Sequence, residues 1–132
     1  MPHFIFRVLA ALVVATPLSV PVAQAAASDY SLVLVETIYP FGSGALFDLR
    51  LTDRRTDTPV EGAVIFATRL DMEPDGMETM TTPMEAVPTE EPGQYRFSAD
   101  LTMEGNWRLS VAAKVQGETE TVQAQIVIEV QP

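Results

Sequence analysis

The 132-residue chain has no cysteine, and its one histidine, His3, falls in the N-terminal leader. Without a thiol or an imidazole in the remainder, the nucleophile and base pairs of most covalent catalysis cannot be assembled. Nor can disulfides reinforce what would be a small exported domain, so stability has to come from packing. Positive charge is scarce as well: 8 Lys and Arg face 18 Asp and Glu, for a formal net charge of −10, and Lys114 is the single lysine. Such an excess of carboxylates repels phosphate backbones and anionic lipid surfaces. It argues against nucleic-acid and membrane-surface partners and leaves cations and basic proteins. Carboxylates can perform acid and base work in pairs, but nothing in the sequence marks one pair among so many. A non-enzymatic protein is the expectation.

Long apolar runs are also missing. The longest, Val8 to Val22, is interrupted by Pro17 and Pro21 and falls short of the roughly 20 residues that span a bilayer as a helix. With Arg7 before it and Ala23-Gln24-Ala25 after it, the segment reads as a cleavable export signal. Residues 1–25 are assigned to the signal, with Ala25-Ala26-Ala27 as a second cleavage box that moves the cut as late as 27. Residues 28–132 form the domain, and the expected location is periplasmic or secreted. Loss of Arg7 takes the formal charge to about −11.

What the remainder does contain is a series of short alternating apolar runs. Pro40, Pro59, Pro74, Pro83, Pro88 and Pro92 interrupt any helical period. About seven strands are expected: Ser31–Ile38, Gly44–Leu51, Ala63–Leu70, a weak one near Met80–Val87, Gln94–Asp100, Trp107–Val115 and Thr121–Val130. Alternation sends Ala45, Phe47, Leu49 and Leu51 to one face, as it does Trp107, Leu109, Val111, Ala113 and Val115. Val122, Ala124, Ile126, Ile128 and Val130 form a third such set. One dry and one wet face per strand predict an all-β, two-sheet antiparallel sandwich of immunoglobulin-like architecture. Gln116-Gly117-Glu118 is a hairpin-turn candidate. Trp107 is read as a core anchor, and Tyr95 as a buried ring whose hydroxyl bonds backbone near the preceding turn.

Methionine is the unusual functional group. Met72, Met77, Met80 and Met84 cluster in one turn region, and Met103 precedes Trp107. Thioethers are soft and uncharged, which favours Cu(I) over harder divalent ions. They need no deprotonation, so they remain ligands where thiols would be oxidised. Asp71, Glu73, Asp75, Glu78 and Glu85 stand near enough in sequence to attract a cation. The alternative is that these methionines fill gaps in the core or form an adaptable protein-binding surface. A calcium loop beginning at Asp71 does not fit, because Thr82 takes the place of the bidentate carboxylate and Pro74 stiffens the turn.

The middle and later parts of the chain resemble FixH/YtkA-like proteins. The resemblance rests on Pro59-Val60-Glu61-Gly62-Ala63-Val64, the Met72 to Met84 turn, Pro92-Gly93-Gln94-Tyr95, and Leu101-Thr102-Met103-Glu104-Gly105-Asn106-Trp107-Arg108-Leu109. It implies an exported or membrane-anchored immunoglobulin-like domain without catalytic activity. It also implies a part in copper handling, such as maturation of cbb-type cytochrome oxidase or metal efflux and resistance, with Met72, Met77, Met80, Met84 and Met103 as the metal-contacting positions. Two expectations therefore stand side by side: a periplasmic domain that binds or passes Cu(I), and a metal-independent accessory module that docks on another envelope protein.

Overall fold

The computed structural model describes residues 27–132; the leader assignment lies outside the described residues. After a 3-10 turn at Ala27–Asp29, ten strands follow. They are β1 (Tyr30–Leu34), β2 (Ile38–Pro40), β3 (Gly42–Asp53), β4 (Thr58–Pro59), β5 (Val64–Met72), β6 (Met77–Thr82), β7 (Met84–Val87), β8 (Gln94–Leu101), β9 (Gly105–Lys114) and β10 (Thr121–Gln131). A second 3-10 turn, Glu73–Asp75, separates β5 from β6. One sheet runs β1-β3-β8-β7 with β4 also on β3, and the other runs β2-β10-β9-β5-β6. Two sheets packed face to face make the expected immunoglobulin-like sandwich. No helix of the described residues is long and apolar enough to cross a membrane.

The strand count exceeds the expected seven because the chain changes sheets inside two of the expected runs and because the short β4, in the connection read as a loop, pairs with β3. Ser31–Ile38 divides: β1 pairs with β3, whereas β2 joins the opposite sheet and pairs in parallel with β10. That parallel pair departs from the purely antiparallel expectation. The run near Met80–Val87 divides at Pro83, whose ring removes a ladder donor. β6 ends on β5 in one sheet and β7 begins on β8 in the other.

The alternating residues fill the space between the sheets. Phe47, Leu49, Leu51, Trp107, Leu109 and Ala113 are completely buried, and Val122, Ile128 and Val130 nearly so. Ala45, Ala124 and Ile126 are only partly buried and pack against that core. Tyr39 stacks on Phe47 with ring centroids 4.6 Å apart. Burial, with Glu36 and Asp48 nearby, pushes its phenol up to about 12, so the hydroxyl stays a donor, to Glu36 O at 3.1 Å. The Val115 to Glu118 turn closes as expected, with Glu118 N–H donating to Val115 O at 3.1 Å and Gly117 at φ +83°.

Two of the motifs that carry the family resemblance meet here. The Tyr95 hydroxyl donates to Val60 O at 2.8 Å and accepts from Ala63 N–H at 3.0 Å. Its partners thus lie in the loop from Val60 to Ala63 and not in the turn immediately before it. Gly93, at φ +71°, lies against Pro59 so closely that a Cβ would overlap it. Trp107 donates its indole N–H to Met103 O at 3.0 Å, so the core anchor also holds the turn that precedes it. Truncation of Trp107 to alanine is expected to cost about 4 kcal/mol. Urea unfolding of the variant checks this, and a loss under about 1 kcal/mol would remove Trp107 from its anchoring role.

Candidate metal site at one end of the sandwich

Three connections come together at one end of the sandwich. Met72 and Met77 are opposed across the β5–β6 hairpin. The turn between β8 and β9 packs on this hairpin through Asp75, which accepts from Asn106 N–H at 2.8 Å and from Asn106 Nδ2 at 3.2 Å. Gly105 makes that approach possible, because any Cβ there would run into the Asp75 carboxylate and the Met72 methyl. The third connection begins at Phe41, whose N–H donates to Gln131 O at 2.7 Å; next to it, Gly42 is paired with Leu101. The turn with Met103 therefore does lie at the end occupied by Met72 and Met77.

Depth separates the five methionines. Met72 is fully buried and belongs to the core. Met80 and Met84 are partly buried and pack against that core from edge strands of opposite sheets, on either side of Pro83. Met77 and Met103 are each 38% exposed. The hairpin register and the Asp75 bridge thus bring Met72, Met77 and the Met103 turn together, while Met80 and Met84 line the side seam. Strand residues, not a helical stripe, carry Met77, Met80 and Met84.

The neighbouring carboxylates do not behave as the sequence suggests. Asp71 is completely buried on the outer face of its sheet, where Arg69 Nε approaches Oδ2 at 2.8 Å and Arg108 Nη2 at 3.1 Å. Its other oxygen accepts from Glu73 N–H at 3.0 Å. Burial alone would raise this carboxyl, but the Glu73 amide and the two guanidiniums outweigh it and hold the group below the ordinary aspartate range. Arg108 also reaches Glu73 at 3.6 Å, and Arg69 donates to Glu78 O at 2.8 Å. Asp71 is therefore already neutralised and unavailable to a cation, and Asp75 is spent on Asn106. Among the described residues no group of three or more His, Cys, Asp or Glu is placed to hold a metal ion. A metal at this end would have to rely on sulfur.

Sequence reasoning missed the Asp71 network. The one available signal was the pair of arginines, Arg69 two residues before Asp71 on β5 and Arg108 opposite it on β9; the second becomes visible only with the strand register.

Residues 24–112 match the family model described as YtkA-like. No curated protein matches. Among solved structures, the Lin-41 filamin domain is similar at 16% identity and TM-score 0.48, covering 83% of this chain and 98% of its own. The ZirS C-terminal domain is similar at 15% and 0.47, covering 94% and 88%. The Yersinia pseudotuberculosis adhesin InvE is similar at 18% and 0.48, covering 81% of this chain and 27% of the adhesin.

Asp71→Asn is expected to lose about 2–3 kcal/mol at pH 7, since two guanidiniums and a turn amide lose a charged acceptor. The pH dependence has a definite sign. A carboxyl held lower in the folded chain than in the unfolded one stabilises above the unfolded value of about 4, and that contribution disappears as pH falls through the folded value. Denaturant midpoints of the two proteins should thus differ at pH 7 and converge toward pH 2–3; a constant gap across that range would exclude the Asp71 charge as its cause.

Proposed function

The chain belongs to the YtkA-like family, and on that footing we propose that it is a non-enzymatic, exported β-sandwich domain that receives and passes Cu(I) as cargo. The observation that supports this reading most is the juxtaposition of Met72, Met77 and the Met103 turn, fixed by the β5–β6 register and by the Asp75–Asn106 bonds. Met77 and Met103 are open to an incoming ion, Met72 is buried across the hairpin from Met77, and Met80 and Met84 supply further sulfur along the seam. Neutral thioethers suit a soft monovalent ion and bind it without releasing a proton. Carboxylates left at the surface, Glu73, Glu78 and Glu104, add negative potential that attracts a cation without ligating it. A periplasmic or secreted location, and a part in metal resistance or in the oxidase maturation associated with FixH-like relatives, belong to the same proposal.

Titration with Cu(I) against a competing chelator should give a defined stoichiometry for the intact protein. Met77→Leu combined with Met103→Leu should weaken binding by about tenfold or more with the circular dichroism spectrum unchanged. Affinity should also hold between pH 7 and pH 5, where imidazole and thiol sites lose theirs to protons. No competition by the intact protein, or full stoichiometry in the double variant, would rule the sulfur site out.

A second reading uses the same end as a metal-independent docking surface on another envelope protein. It is favoured by Phe41, 52% exposed and held by Gln131 at the same end of the sandwich, since an apolar group with adaptable methionines suits protein contact. Binding to a purified envelope partner that is unchanged by a Cu(I) chelator and lost in Phe41→Ser would select it.

A further inference from the structure

β10 pairs with β9 from Thr121 to Val130, but β2 covers its other side only at Glu129–Gln131. Glu129 N–H donates to Thr37 O, and Phe41 N–H donates to Gln131 O. By the two-residue alternation of a strand, the odd-numbered residues of β10 turn both backbone groups away from β9. Thr121, Gln123, Gln125 and Val127 thus face a side on which no strand of the described residues is hydrogen-bonded to them, with β1 and the Ala27–Asp29 turn packed nearby. Such edges are usually blunted by proline, lysine or inward charge. The run from Thr121 to Val127 contains none of these.

A groove of about 510 Å³ follows this edge, lined on one side by Ala27, Ser28, Tyr30, Leu32 and Arg54 and on the other by residues 121–126. Core exposure has its counterpart there. Val122 and Ile128 are 3% and 1% exposed, whereas Ala124 and Ile126 between them are only partly covered.

We propose that this edge takes up an extended segment of another polypeptide as an additional strand beyond β10. A peptide backbone supplies N–H and C=O groups at the repeat of the open ladder, and alternate side chains of the added strand enter the groove. Small or β-branched apolar side chains suit the positions over Ala124 and Ile126. Charge decides between partners. Glu118 and Glu120 stand at the Thr121 end of the groove, holding the Tyr30 hydroxyl and the Ala27 N–H, and outnumber the one arginine of its lining, Arg54, so a lysine or arginine at that end of the incoming segment is favoured. A second copy of this chain, with its formal charge of −10, is disfavoured. The inference is independent of the sulfur site, and either outcome of the Cu(I) titration leaves it standing.

The test is amide hydrogen exchange on the full exported protein with the blocked peptide Lys-Val-Thr-Val-Thr-Val-Thr as probe. Exchange at Gln123, Gln125 and Val127 should be fast without peptide and slowed about tenfold or more at saturation. The same peptide N-methylated on its ladder-facing amides should give no slowing. Gln125→Pro removes one outward donor while leaving the β9 ladder intact, and it should abolish the protection without lowering the melting temperature. Should that variant fail to fold, the N-methylated peptide decides alone. Equal protection by both peptides, or slowing confined to other strands, would overturn the proposal. So would protection of those amides in the peptide-free protein, whether constant or rising with protein concentration, since the edge would then be occupied by the chain's own preceding residues or by a second copy.

Discussion

Trp107 and the strand it begins carry the constraint on which the domain depends. No disulfide ties the two sheets together, so their closure rests on apolar contact, and β9 lies at the middle of its sheet with Trp107, Leu109, Val111 and Ala113 all directed inward. Large aromatic burial supplies much of such a core. The same indole spends its N–H on Met103 O, and Asn106 beside it binds Asp75. The packing centre and the methionine-bearing end are thereby one mechanical unit. The candidate site inherits its geometry from the core and does not require rigidity of its own.

The residues of the family resemblance divide along the same line. Gly93 and Tyr95 fix the loop from Pro59 to Ala63 by close approach and by two hydroxyl bonds. Gly105 and Trp107 fix the turn that contains Met103. These are braces. The second of them positions the turn on which the proposed sulfur site draws.

Much of this was legible in the sequence because alternation is a local signal. Phe47, Leu49 and Leu51, and likewise Trp107, Leu109, Val111 and Ala113, are inward as their spacing requires. Changes of sheet are not local. Thr37 in the first run and Pro83 in the fourth sit where the chain passes from one sheet to the other, and only the pairing of distant strands reveals it. Asp71 was obscured for a related reason: a charged residue reads as surface until the register brings Arg108 opposite. The five methionines were visible by type, but their depth depends on which strand faces which. Met72, adjacent to a charged residue and a turn, gave no sign of being fully buried.

That difference in depth has a chemical consequence. Oxidants convert methionine to the sulfoxide, a polar group, and reach exposed sulfurs first. Met77 and Met103 stand in the path of such reagents, whereas Met72 is shielded by the packing around it. Mild oxidative stress would therefore silence the soft-ion binding proposed for this end while sparing the fold, and enzymatic reduction of those two side chains would restore the sulfurs without any need to refold the protein.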